Sequence, residues 1–160
     1  AYLNLGNVLI ATGRNAEAES DLQQALVLLP EGEGQNAAGR YMGVARSADH
    51  LGDSALREQA LAAAAQVRGG PEMVDDFRGE RLLQEGDEAD AVALLRATVA
   101  RSPDDLQAWM LLAAALERLG DISGAAAACR TALTLGPDEK VRAGLQQMLA
   151  RLIHRSGGGV

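Results

Sequence analysis

The sequence is poor in the residue types on which disulfides, metal sites and nucleic-acid surfaces depend. It contains one cysteine, Cys129, which excludes an internal disulfide and a thiolate metal cage. Its two histidines, His50 and His154, stand far apart in the sequence, with no ligand spacing around either. Four aromatic residues and a net charge of −7 argue against a base-stacking surface or a broad phosphate-binding face.

Long apolar runs and catalytic motifs are also missing. No stretch approaches the roughly 18 consecutive apolar residues of a membrane-spanning helix, and no P-loop, H-E-x-x-H or G-x-S-x-G motif occurs. Gly32 and Gly34 form a bare G-x-G that no strand precedes. Cys129 occupies a core position of an apolar helix, which favours a packing role over a nucleophilic one. We therefore expect no enzyme activity, cofactor, metal, nucleic-acid binding or membrane insertion.

Helix-forming residues dominate what is present. Alanine and leucine make up about a third of the chain, and both have high helix propensity. β-Branched residues are scattered singly, so no segment is typical of a strand. Glycines at four points separate apolar helical runs, as the tight turns of helical hairpins require; they are Gly13, Gly52, Gly86 and Gly120. The prediction is an all-α fold.

A period of 34 residues organises the chain. Successive turn glycines lie 39, 34 and 34 positions apart. The frame Tyr2-x2-Leu5-Gly6-x2-Leu9, with Ala18, Leu22, Ala25 and Pro30, recurs as Trp109-x2-Leu112-Ala113-x2-Leu116 with Ala125, Cys129, Ala132 and Pro137. These residues resemble the tetratricopeptide repeat, a helix–turn–helix unit of that period. The resemblance implies an α-solenoid, a right-handed superhelix of stacked antiparallel helix pairs.

The pattern divides the chain into four repeats. We expect them at about 1–32, 33–71, 72–105 and 106–139, followed by a capping helix at 138–154, all within a single domain of residues 1–155. Residues 156–160 are glycine-rich and are expected to be a flexible tail. Residue 1 falls inside a repeat, which suggests a segment of something longer.

One position in the first helix of every pair carries a small residue, and these residues are Gly6, Ala45, Gly79 and Ala113. A short side chain there lets the two helices of a pair approach closely. The second and third repeats depart from the pattern elsewhere. Arg57 replaces an alanine, and Asp75 replaces the aromatic anchor. Asp75 and Asp76 are expected near a helix N-terminus, where their charge favours the helix dipole.

The family resemblance implies that the first helices line a concave groove. Their outward positions are the expected binding residues for a protein or peptide partner: Leu3, Asn4, Asn7 and Ile10; Met42, Arg46 and Asp49; Asp76, Phe77, Glu80 and Leu83; Gln107, Met110, Ala114 and Glu117. Mixed apolar and polar residues at this spacing suit an extended peptide or a short helix. Met42 and Met110 share one phase, and methionine suits adaptable binding surfaces, although packing is an equal alternative.

Several alternatives stay open at this stage. Residues 72–90 carry eight acids and two bases, which is either a solvated face or a surface that steers a basic partner segment. The leading hypothesis is a non-catalytic protein–protein interaction module. The alternatives are a recognition arm of a larger enzyme, such as a glycosyltransferase or sulfotransferase, and a homo-oligomeric scaffold. A cytoplasmic location is the default, and a periplasmic or secreted one stays open.

Overall fold

The computed structural model describes residues 2–28 and 36–157. Within these ranges the chain forms nine α-helices and no strand, which confirms the predicted all-α class. The polar loop expected around residues 31–35 lies outside the described residues, as do Pro30 and the last three residues of the expected tail.

The nine helices follow one another with short connections. Their bounds are α1 Tyr2–Ala11, α2 Asn15–Leu28, α3 Ala37–Leu51, α4 Ser54–Ala65, α5 Gly70–Glu85, α6 Glu88–Arg101, α7 Leu106–Leu119, α8 Ile122–Thr134 and α9 Glu139–Gly157. The odd-numbered helices α1, α3, α5 and α7 are the first helices of the four predicted repeats. Each of these is followed by the second helix of its pair.

The helices form two compact units, Ala1–Val74 and Asp75–Val160. In the first unit, α1 packs on α2 and α3 packs on α4, while α3 also contacts α1 and α2. In the second unit, α7 packs on α6 and α8, and α9 packs on α8. At these contacts, helices that are neighbours in sequence pack on each other, as the predicted helix pairs require.

Glycines allow the close approach of helices within two of the pairs. A Cβ atom added to Gly6 would lie 3.0 Å from Leu22 Cδ2, and one added to Gly79 would lie 2.9 Å from Leu95 Cδ2. Both leucines are fully buried. The predicted reason for a small residue at this position of the first helix is thus confirmed.

The turns of the helix pairs combine a left-handed glycine with an aspartate cap. Gly52 and Gly120 have φ of 75° and 89°, a conformation that side-chain-bearing residues rarely adopt. The next residue in each turn caps the second helix. The Asp53 carboxylate accepts from the Leu56 N–H at 3.0 Å, and Asp121 accepts from the Gly124 N–H at 2.8 Å. The glycine ends one helix and the aspartate begins the next.

The C-terminal helix is longer than predicted. It buries Leu145 and Leu152 in the core of the second unit, as a capping helix should. It continues to Gly157, so the first two residues of the expected tail are helical. The predicted end of the helix at residue 154 was too early, because the glycine-rich sequence that was expected to stop it begins within its last turn.

The expected position of two acidic residues was also wrong. Helix α5 begins at Gly70, so Asp75 and Asp76 lie in its interior rather than at its N-terminus. Asp75 instead binds side chains of α6. Its Oδ2 accepts from Arg101 Nη2 at 2.6 Å and lies 3.3 Å from the Thr98 hydroxyl. These contacts join the two helices of the third repeat.

Candidate functional site

The predicted groove positions of α1 remain accessible in the first unit. Asn4 and Asn7 are exposed, and Leu3 and Ile10 are half-buried. The Ser47 hydroxyl of α3 donates to Asn7 Oδ1 at 2.5 Å, which fixes the orientation of the amide between the two first helices. Two amide and two aliphatic side chains of α1 thus keep accessible surface.

Helix α3 contributes less than predicted to this surface. Met42 is only 2% exposed, so its expected role as a surface contact is wrong in this structure. The reason is that α3 packs against three helices, α1, α2 and α4, which together bury most of its circumference. Arg46 is exposed. Asp49 Oδ1 accepts from Arg57 Nη1 at 3.0 Å, so the carboxylate that was predicted to face a partner is engaged within its own helix pair.

Two of the four predicted positions on α5 are buried. Phe77 and Leu83 are 6% and 7% exposed, which contradicts their expected role in contacting a partner. Leu83 belongs to the core of the second unit, and its carbonyl oxygen accepts from Arg118 Nη1 at 2.5 Å. Asp76 is half-buried, and Glu80 is exposed.

All four predicted positions on α7 retain accessible surface. Gln107 is exposed, and Met110, Ala114 and Glu117 are half-buried, so they form a continuous stripe along one side of the helix. We call these four residues the α7 stripe. An amide, two apolar side chains and a carboxylate follow one another along it.

The carboxylate end of the α7 stripe is held by two arginines that sequence reasoning missed. Glu117 Oε2 lies 3.1 Å from Arg151 Nη2, and Oε1 lies 3.2 Å from Arg155 Nη1, both on α9. The sequence contained a signal for this contact. Arg151 follows Glu117 by 34 residues, one repeat period, which places both at the same position of successive first helices.

Two titratable groups of the second unit have shifted pKa values with clear causes. The N–H of Gly124, and secondarily the Ser123 hydroxyl, lowers the pKa of Asp121 by hydrogen bonding to its charged form. Burial, and secondarily the Glu117 carboxylate, raises the pKa of the Cys129 thiol. The side chain is fully buried at the core position that the sequence predicted, so its thiolate is disfavoured.

The acidic segment of residues 72–90 is partly neutralised by ion pairs. Asp75 pairs with Arg101, and Glu85 pairs with Arg81 one helical turn away. Glu80, Asp87 and Asp90 are exposed. The negative charge of the segment is therefore exposed to solvent at these three residues.

Neither a metal-binding cluster nor a membrane-spanning helix occurs within residues 2–28 and 36–157. No group of three or more His, Cys, Asp or Glu side chains in this part of the chain could hold a metal ion. None of the described helices combines the length and the apolar character needed to cross a bilayer.

Solved structures with a similar fold cover nearly the whole chain. A mutant of MamA is 21% identical over 98% of this chain and 81% of its own, with a TM-score of 0.59. A MamA from Desulfovibrio magneticus RS-1 is 18% identical over 99% of this chain and 96% of its own (TM-score 0.54). The APC/C hetero-tetramer Cut9–Hcn1 is 18% identical over 98% of this chain and 30% of its own (TM-score 0.66). These likenesses support the α-solenoid fold.

Identities of 18–21% to solved structures show only the fold, so the family is assigned from family models instead. Residues 1–28 and residues 78–140 each match a model described as a tetratricopeptide repeat, and together the two matches cover more than half of the chain. No curated protein matches the sequence. The helix pairs, the turn glycines and the close contacts at Gly6 and Gly79 agree with the helix–turn–helix repeat that the sequence predicted. The chain therefore belongs to the tetratricopeptide repeat family, whose repeats form protein–protein interaction modules.

Proposed function

We propose that this protein–protein interaction module holds a peptide or a short helix of its partner against the first helices of its repeats. The observation that carries the proposal is the α7 stripe. Its two apolar members, Met110 and Ala114, are flanked by side chains that hydrogen-bond. Met110 and Ala114 pack against the core of the second unit on one side, and all four members of the stripe keep accessible surface.

The chemistry of the α7 stripe suits a peptide. The Gln107 amide can donate to and accept from a partner's backbone. Met110 is unbranched and polarizable, so its side chain adapts to different apolar partners. Glu117 is already bound to Arg151 and Arg155, which leaves a mixed-charge end rather than a bare carboxylate. In the first unit, Asn4 and Asn7 with Leu3 and Ile10 offer the same combination of amides and aliphatic side chains.

A photoreactive side chain at Gln107 tests this proposal. We expect it to cross-link a partner in a lysate of the source organism, while the same group at Gln24 does not. Gln24 is an exposed glutamine on a second helix, α2. Met110→Glu places a charge on the apolar part of the α7 stripe and should lower the cross-linking yield about tenfold, equivalent to roughly 1.4 kcal/mol. Mass spectrometry identifies and quantifies the product.

The segment of the partner that is cross-linked can then be made as a peptide, and its affinity can be measured directly. A synthetic peptide of the cross-linked segment should bind the wild-type chain in calorimetry and bind the Met110→Glu variant about tenfold more weakly. Equal cross-linking at the two glutamines, or equal affinity for the two proteins, would remove the α7 stripe as the binding site. Circular dichroism of the variant shows whether its fold is retained.

We also propose that the exposed acids of α5 and α6 favour a basic partner segment. Glu80, Asp87 and Asp90 carry charge that ion pairs in this region do not cancel one for one. Long-range attraction of this kind acts on the association rate and is screened by salt. It therefore raises the association rate of partners that carry a basic segment.

Stopped-flow association of the captured peptide at increasing salt tests this charge effect. The association rate should fall about tenfold between roughly 20 and 200 mM NaCl, while the dissociation rate changes little. Glu80→Gln with Asp90→Asn should flatten the dependence, and Glu19→Gln on α2 serves as the control. An association rate of the wild-type chain that does not change with salt would disprove electrostatic steering. The α7 stripe would still be the proposed binding site.

A further inference from the structure

The carboxylate end of the α7 stripe presents cations rather than an acid to solvent. The Glu117 side chain is 18% exposed, whereas those of Arg151 and Arg155 are 59% and 50% exposed. We call Arg151 and Arg155 the α9 arginine pair. A partner segment that follows the α7 stripe to this end therefore meets mainly guanidinium groups.

The α9 arginine pair carries more positive charge than Glu117 neutralises. Two guanidinium groups share one carboxylate, which leaves an excess of one positive charge. The two arginines stand four residues apart on α9, a spacing at which like charges face each other and are destabilising. A second carboxylate at this place would neutralise the excess and reduce the repulsion.

The α9 arginine pair also keeps hydrogen-bond donors that Glu117 does not use. Arg151 donates to both Glu117 oxygens through Nη2, and Arg155 donates to Oε1 through Nη1. In Arg155 this leaves Nε and Nη2, which lie on one edge of the guanidinium plane and match the two oxygens of a carboxylate. The same edge of Arg14 donates to both carboxylate oxygens of Glu17 in this structure.

A short peptide can span the distance between the apolar part of the α7 stripe and the α9 arginine pair. Met110 and Glu117 are two helical turns apart, which is about 10 Å along the axis at a rise of about 1.5 Å per residue. In an extended chain of the polyproline II type, side chains i and i+3 lie on the same side, about 9 Å apart. An apolar side chain on Met110 therefore brings the side chain three residues away to the α9 arginine pair.

We propose that the α9 arginine pair recognises an aspartate or glutamate side chain of the partner, three residues from the apolar residue that contacts Met110. This inference rests on the proposed function and gives the partner segment a sequence requirement. The source of the carboxylate is an internal side chain rather than a chain end. Both arginines are at least half exposed, so the partner chain can continue past them.

The peptide acetyl-Gly-Leu-Pro-Pro-Glu-Gly-amide is a suitable probe. Its prolines favour the polyproline II conformation, and its glutamate is its only charge. The same peptide with glutamine in place of glutamate is the matched control. NMR of the 160-residue chain follows the Met110 methyl group and the Nε–H groups of Arg151 and Arg155 separately. We expect the glutamate peptide to shift all three signals and to bind about fivefold more tightly than the glutamine peptide, as two exposed charge-assisted contacts allow.

Removing the α9 arginine pair should reverse this preference. In the variant with Arg151→Gln and Arg155→Gln, Glu117 becomes a bare carboxylate, so a lysine version of the peptide should bind about threefold more tightly than the glutamate version. A purely structural role of the pair would weaken all the peptides alike. Arg96→Gln with Arg130→Gln is the control, because it removes the same charge from exposed positions on α6 and α8. This control should keep the wild-type preference, and urea unfolding verifies that both variants are folded.

Several results would overturn the inference. Equal affinity of the wild-type chain for the glutamate and glutamine peptides would do so, as would unshifted Nε–H signals with the glutamate peptide up to about 10 mM. A glutamine peptide that ends in a free carboxylate and binds as tightly as the glutamate peptide would assign the α9 arginine pair to a chain end instead.

The Met110 methyl signal distinguishes failure of this inference from failure of the proposed function. Equal shifts of the methyl signal with the glutamate and glutamine peptides would retain the α7 stripe and reject the preference for an acid. Arginine signals that move while the methyl signal does not would reject the α7 stripe as the apolar contact, and with it the proposed spacing of three residues.

Discussion

Gly70→Ala is expected to destabilise the first unit by about 3 kcal/mol. A Cβ atom at this position would lie 1.7 Å from the carbonyl oxygen of Ala64 and 2.6 Å from its carbonyl carbon. Both are backbone atoms near the end of α4, so no side-chain rotation can relieve the contact. The start of α5 and the end of α4 would have to separate, and the buried side chains of Ala64 and Val67 would lose packing.

Gly144→Ala is the matched control for this substitution. Gly144 lies inside α9, and an added Cβ would meet nothing within 4 Å. This change should stabilise the chain by about 0.5–1 kcal/mol, because alanine loses less backbone entropy than glycine in a helix. Urea unfolding followed by circular dichroism measures both. If the two substitutions have the same sign, close packing at Gly70 does not limit stability.

The sequence was sufficient to predict the helix pairs. Turns need a residue that adopts positive φ, and close helix contacts need one without a side chain. Glycine meets both requirements and therefore recurs at fixed intervals. Gly52 has a positive φ in a turn, and Gly79 lies at a close contact between two helices. Such local demands repeat with the period of the structure, so one chain alone reveals them.

The depth at which the candidate site residues lie was harder to predict. The period assigned Met42 and Met110 to the same helix position, yet Met42 is buried and Met110 is half-buried. The position along a repeat fixes the direction of a side chain but not how many helices surround it. Helix α3 has three packing neighbours in its own unit, and this number is a tertiary property that the period does not contain.

Polar contacts between helices were predicted least well. Arg57 was noted as a departure from the alanine of other repeats, but its pairing with Asp49 was not foreseen. Asp75 was assigned to a helix end because charge alone does not show where α5 begins. Pro71 was the better signal, since proline is favoured in the first turn of a helix, and it is the second residue of α5.

Leu95→Ala is expected to have the largest effect in the second unit, a loss of about 2–5 kcal/mol. Leu95 is fully buried in a core that includes Leu112 and Cys129, so truncation removes apolar contacts and leaves a cavity. Leu119→Ala, at a position that is 52% exposed, should cost well under about 1 kcal/mol. Urea midpoints of the two variants give the comparison, and equal losses would mean that burial at Leu95 is not what stabilises the unit.

Gly79, which faces Leu95, provides a more specific test of this packing. Gly79→Ala alone should be destabilising, because its Cβ would lie 2.9 Å from Leu95 Cδ2 and 3.1 Å from Cγ. In a chain that already carries Leu95→Ala, those atoms are gone, so the added methyl group fills part of the cavity. There the change should be stabilising by up to about 1 kcal/mol, the difference in helix propensity between glycine and alanine. The two effects must therefore couple strongly in a double-mutant cycle; agreement with simple additivity within about 0.3 kcal/mol would show that the helices do not rely on this contact.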